Sequence, residues 1–186
     1  MRKTGTQASA EHWLIRHATP DDAREIARIH VRAWQRAYRG IVPQTHLDSL
    51  AVERRETIWR KKLEEQAACT WVAEATDFLL GWISVGQSRD PDANAKTGEL
   101  WSIYIDPGHW RRGVGRRLWA EAEQHLRSVG YTDVTLWVLE RNADALAFYG
   151  SIGFALEPGT EKETERGGAQ LTEVRLWCGL SDREPG

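Results

Sequence analysis

Residues 106–116 read Asp-Pro-Gly-His-Trp-Arg-Arg-Gly-Val-Gly-Arg, and residues 142–154 read Asn-Ala-Asp-Ala-Leu-Ala-Phe-Tyr-Gly-Ser-Ile-Gly-Phe. Upstream of the first stretch, residues 97–106 alternate and are rich in aromatic and β-branched side chains (Trp101, Ile103, Tyr104, Ile105), as a strand is. Pro107 lacks a backbone N–H and Gly108 favours a turn, so the strand stops there. Beyond it, Val114, Leu118, Ala122, Leu126 and Val129 recur at helical spacing, and Gly130 supplies a C-terminal stop. Gly113 and Gly115 therefore sit at the start of a helix. Unpaired backbone N–H groups point outward there, and the missing side chains let an anion come close.

Charge sharpens this reading. Arg111, Arg112, Arg116 and Arg117 crowd the same helix start. A cation there opposes the helix dipole by about 0.3–1 kcal/mol when exposed. Four together fit a place that normally holds an anion, although a solvated basic turn would show the same residues. A phosphate or pyrophosphate group is such an anion. Two common phosphate loops are absent. The dinucleotide fingerprint needs a glycine where Leu118 stands, and no Gly-x-x-x-x-Gly-Lys-Ser/Thr occurs.

Taken together, the two stretches resemble the acetyl-CoA-binding core of the GCN5-related N-acetyltransferases. The family pattern Gln/Arg-x-x-Gly-x-Gly/Ala is met from Arg111 to Arg116, with Trp110 in the first position instead of Gln or Arg. The second pattern, Asn-x-x-Ala-x-x-Phe-Tyr-x-x-x-Gly-Phe, is met by Asn142, Ala145, Phe148, Tyr149, Gly153 and Phe154. The resemblance implies an acyl-CoA-dependent N-acyltransferase. The backbone of Arg112, Gly113, Val114, Gly115 and Arg116 would take the pyrophosphate, with Arg111 in the same loop. Ile103, Tyr104 and Ile105 would take the pantetheine arm and acyl carbonyl. Asn142 would hydrogen-bond the pantetheine arm, Phe148 would pack beside it, and Tyr149 would protonate the departing thiolate. A phenol of ordinary pKa about 10 suits that step; an aromatic pair in the core is the plainer alternative for Phe148-Tyr149. The similarity extends to Leu14–Arg16 with Pro20-Asp21-Asp22, and to the stretch from Trp34 to Pro43, which resembles small-molecule members.

Attack on a thioester needs a neutral amine, so a base must take its proton. Some protein-acetylating relatives carry a Glu five residues before the Asn, and here that residue is Trp137. Glu99 is the remaining candidate, either as base or as a surface carboxylate at the edge of its strand. The expected acceptor is a primary amine of a small molecule. Acetylation of a protein lysine or N-terminal amine is the alternative, as is a CoA-binding sensor without catalysis. The resemblance also allows a homodimer.

The whole chain has 186 residues and a net charge of −2, which suits one folded unit and gives no support for nucleic-acid binding. Ten Trp residues are several times the usual share. Trp82, Trp101 and Trp137 fall in expected strands, and Trp34, Trp59 and Trp119 in expected helices; Trp101 and Trp137 are candidates for the wall of an acceptor cleft. The two cysteines, Cys69 and Cys178, read as buried free thiols. No histidine spacing suggests a metal site, and no apolar run approaches a membrane span. With no secretory leader in view, a cytoplasmic location is expected.

Residues 1–10 are expected to be a disordered tail, 11–180 the catalytic domain and 181–186 a second tail. The expected order is strand 12–17, helix 20–38, helix within 47–66, strands 69–75, 78–87 and 97–106, helix 113–129, strand 132–139, helix 142–151, and strands 153–157 and 170–178. Residues 158–168 read as a mobile charged loop, and the family resemblance implies that this loop and the link from Tyr38 to Pro43 border the acceptor site. This order implies an α/β fold. By resemblance it is a mixed, mostly antiparallel sheet of about seven strands flanked by four helices, with the cofactor entering where strands 97–106 and 132–139 diverge.

Overall fold

The strand expected at 97–106 lies at the middle of the sheet. A computed structural model describes residues 13–66 and 68–180; the expected tails at 1–10 and 181–186 lie outside them. The chain runs β1 (Leu14–His17), α1 (Ala23–Ala37), α2 (Gln44–Asp48), α3 (Val52–Glu65), β2 (Cys69–Glu74), β3 (Leu79–Gln87), β4 (Thr97–Ile105) and α4 (Val114–Ser128). It continues through β5 (Asp133–Leu139), α5 (Ala143–Ser151), β6 (Ala155–Leu156), β7 (Lys162–Arg166) and β8 (Ala169–Gly179). The sheet order is β1-β2-β3-β4-β5-β8-β6, with β7 also paired to β8, and only β4–β5 is parallel.

The described residues thus hold eight strands and five helices, against about seven and four expected. The extra helix is the single turn α2, which follows Pro43 and was hidden in the approach to α3. The extra strand corrects the reading of 158–168 as a mobile loop. Residues 162–166 pair with 169–173 across a turn at Gly167-Gly168, both at positive φ. Lys-Glu-Thr-Glu-Arg alternates in charge rather than hydrophobicity, so the apolar pattern that marks a half-buried strand is missing.

Strand alternation divides the core. β2 sends Trp71 and Ala73 toward the α4 side, and Val72 toward α1 and α3. Ile26, Ile29, His30 and Ala33 of α1 are buried, as their spacing requires. On α4 the inner face holds for Val114, Leu118, Ala122 and Leu126. Val129 is the exception, 56% exposed, because the helix has ended at Ser128. Cys178 is buried and Cys69 half-buried, and the Cys178 thiol donates to the Gly179 carbonyl at 3.5 Å. No helix among the described residues is long and apolar enough to cross a membrane.

His30 carries a testable cost. It stacks among Trp34, Trp82 and Tyr104, with ring centroids 5.5, 6.1 and 5.0 Å away, and neither ring nitrogen has a partner. Burial, with Arg55 and Lys62 nearby, pushes its pKa down from 6.5 to about 3. Between these values the unfolded chain binds a proton that the fold refuses. Stability therefore falls as pH drops from 6.5 toward 3, by about 1.4 kcal/mol per pH unit from this group. His30→Phe should remove that part of the slope and raise the melting temperature near pH 5. Melting curves between pH 4.5 and 7 test this; an unchanged slope in the variant contradicts it.

Candidate active site

β4 and β5 are paired only through residues 97–99 against 133–135. β4 then continues along β3 while β5 runs along β8, so the two part as a V. The inner edge of β4 keeps backbone hydrogen-bonding groups that β5 does not use, and such groups call for another partner. A bulge adds to the opening. Ser84 pairs with Ser102 but Val85 with Leu100, which makes Trp101 the extra residue.

The turn after β4 is fixed from several sides. The Asp106 carboxylate accepts the Gly108 N–H at 2.9 Å and pairs with Arg32 at 2.9 Å. The Trp110 indole N–H donates to the Ile105 carbonyl at 2.8 Å, so the residue that departs from the family pattern closes the turn. Arg111 at φ 61° and Gly113 at φ 83° then turn the chain into α4. A side chain on Gly115 would begin 3.1 Å from the Phe148 ring, so only glycine leaves this helix start bare. Unpaired N–H groups at a bare helix start suit a phosphate.

Arg111, Arg116 and Arg117 each have a partner within the chain. Arg116 donates to the Ser151 carbonyl at 3.0 Å, Arg111 lies 3.7 Å from Asp144, and Arg117 stacks on Trp13 at 3.9 Å. Arg111 and Arg116 border the opening, whereas Arg112 lies in the turn but is not among the lining residues.

The V opens into a cleft of about 990 Å³. Ile103, Tyr104, Ile105, Gly113, Val114, Gly115, Asn142, Phe148, Tyr149 and Glu99 all line it, so sequence-distant candidates meet in one place. The Asn142 side-chain oxygen accepts the Ala145 N–H at 3.2 Å and caps α5. Tyr149 is buried between Phe148 and Phe154, with centroids at 5.4 and 6.0 Å. Burial, with Tyr104 beside it, holds its phenol pKa above the ordinary value.

Glu99 is not the surface carboxylate that one reading expected. It is buried, and accepts the Arg89 backbone N–H at 2.9 Å and the guanidinium Nε–H at 3.0 Å, with a further ion pair to the same guanidinium. Trp101 and Trp137 do line the cleft. The Trp137 indole N–H donates to Asp90, which Arg175 holds in turn at 3.4 Å.

Further residues line the cleft, among them Trp34 and Tyr38 from the stretch that resembles small-molecule members. Trp34 donates its indole N–H to the Tyr104 hydroxyl at 2.8 Å, and Tyr38 packs edge-on against Trp34 at 4.8 Å. The i, i+4 spacing of Trp34 and Tyr38 was the available signal for a shared face. Arg89, Lys162, Arg166 and Glu173 also line the cleft. Lys162 and Arg166 come from the segment 158–168 that the resemblance sets at the border of the acceptor site, whereas Arg89 and Glu173 carry no apolar periodicity or motif that would mark them.

The match to known proteins agrees with this geometry. The model of the acetyltransferase (GNAT) family matches residues 20–154. The uncharacterized N-acetyltransferase YuaI of Bacillus subtilis is 30% identical over 168 residues, covering 90% of this chain and 94% of its own. The PaiA N-acetyltransferase of Thermoplasma acidophilum, solved with coenzyme A, shares the fold at a TM-score of 0.70 and 20% identity, over 90% of this chain and 99% of its own. YncA of Salmonella typhimurium, solved with acetyl-CoA, does so at 0.69 and 21%, over 93% and 96%. The V between β4 and β5, the bare start of α4 and the family match lead to one conclusion: this chain belongs to the acetyltransferase (GNAT) family.

Proposed function

We propose that the chain moves an acetyl group from acetyl-CoA to the primary amine of a small molecule by direct attack. The observation that carries this is the V between β4 and β5, which opens beside the bare start of α4 and shares one cleft with Tyr149. The neighbours bound to coenzyme A and acetyl-CoA support that donor. The residues present fit it: backbone N–H groups at Gly113–Gly115 for the pyrophosphate, the free edge of β4 for the pantetheine amides, and Phe148 as an apolar flank. Bound there, acetyl-CoA supplies an activated thioester carbonyl.

The chain's own groups handle protons. Tyr149 is the general acid for the departing thiolate; its phenol is protonated at neutral pH, and burial makes it a weaker acid than a free phenol until a charged group forms beside it. Glu99, held by Arg89, receives the amine's proton directly or through a water. Glu99→Gln should therefore lower kcat/KM about 100-fold or more, the low end for a general base, and alter its pH profile; unchanged activity across pH would end this assignment. Walls built from Trp34, Trp101 and Trp137 favour a compact acceptor over a protein segment.

Melting temperatures with acetyl-CoA, ATP and NADH in parallel test the donor. Saturation at about 100 times Kd adds about 2.7 kcal/mol, a shift of several degrees for acetyl-CoA alone. No shift with acetyl-CoA, or an equal shift with ATP, contradicts the reading.

A further inference from the structure

The strand that the sequence hid sorts its charges. In β7, Lys162, Thr164 and Arg166 share one face, and Arg166 donates to the Thr164 hydroxyl at 2.6 Å. Glu163 and Glu165 take the other face, where they meet Thr172 and Gln170 at 3.3 Å each. Both cations line the cleft and neither of these glutamates does. Lys162 sits 3.5 Å over the ring of Trp137, another lining residue.

The carboxylates in this part of the cleft do not cancel the two cations. Glu173 lies 3.6 Å from Lys162 and 3.5 Å from Arg166, one acid between two bases. Glu99 is matched by Arg89; Asp90, Asp92 and Glu157 share Arg175, and none of these three acids lines the cleft. Exposure follows the same division. The side chains of Arg89, Lys162 and Arg166 are 62%, 44% and 38% exposed, against 4% for Glu99 and 17% for Glu173. At this wall of the cleft the lining cations Arg89, Lys162 and Arg166 are therefore more exposed than the lining acids Glu99 and Glu173. Such a surface attracts anions and repels polyamines.

We propose that the acceptor amine also carries a carboxylate, which Lys162 and Arg166 bind beside the face of Trp137. Arg166 offers the planar fork that suits a carboxylate, and Lys162 a point charge. The acceptor class is then amino acids and related amino carboxylates. This rests on the acetyl-transfer reading above.

The test is a panel of amino acids, each paired with its decarboxylated amine, plus spermidine, assayed with acetyl-CoA. The expected result is a kcat/KM at least about tenfold higher for the carboxylate member of the accepted pairs, as charge-assisted hydrogen bonds allow. A double variant, Lys162→Gln with Arg166→Gln, should lose that preference, while Glu163→Gln with Glu165→Gln on the opposite face should keep it. Acetyl-CoA melting shifts in both variants check that each is folded. Preference for the decarboxylated amines or spermidine overturns the proposal but leaves acetyl transfer standing, as does a preference that survives in the double variant. If no amine in the panel is acetylated although acetyl-CoA binds, the small-amine reading falls and this proposal falls with it.

Discussion

Tyr149→Phe is expected to lower kcat about 100-fold or more, the contribution typical of a placed general acid, while acetyl-CoA binding stays within about threefold. The second half follows from what the substitution keeps. The ring remains between Phe148 and Phe154, so packing beside the donor is preserved. Only the hydroxyl is lost, and with it the proton for the thiolate. The sign of the pKa shift adds a condition. Burial raises the phenol above its ordinary value, so it stays protonated through neutral and mildly alkaline pH. Loss of activity in the wild type below about pH 10 must then come from another group. A variant with kcat within about threefold of wild type would show that Tyr149 is only a packing residue.

Gly115→Val should weaken acetyl-CoA about thirtyfold, the equivalent of about 2 kcal/mol of overpacking. The added atoms begin 3.1 Å from the Phe148 ring and occupy the start of α4, where the pyrophosphate is assigned. Two causes are separable. Pairing the change with Phe148→Leu relieves the contact with the ring but leaves the helix start covered. Affinity that stays low in the double variant locates the loss at the helix start; full recovery locates it at Phe148. Unchanged affinity in Gly115→Val itself removes the phosphates from this loop. Titration followed by fluorescence is practical, with Trp110 in the adjoining turn.

How far the sequence could be read depended on which signal each element carried. Strand 97–105 and helix 114–128 were legible because apolar side chains repeat at the period of their element. Asn142 was visible as a helix start, since a side chain that caps α5 must lie three residues before the N–H it accepts. The end of α4 was misjudged by one residue's periodicity: Val129 keeps the spacing but lies past the last turn.

The acceptor side was harder. The bulge at Trp101 depends on pairing with β3, and no local property of β4 announces it. β7 is held by its ladder to β8 and by charge pairs rather than by an apolar face. Glu99 was singled out from the sequence, but its partner Arg89 comes from a loop whose position only the fold decides. The donor side is thus written in local spacing, and the acceptor side in long-range pairing.

The most direct test of the account is to incubate the protein with acetyl-CoA, with and without an amine panel, and follow both free CoA thiol and acetylated product. Thiol release should depend on the amine and match N-acetyl product one for one, with both lost in Tyr149→Phe. Thiol release that no amine accelerates, in a protein that binds acetyl-CoA, would contradict it.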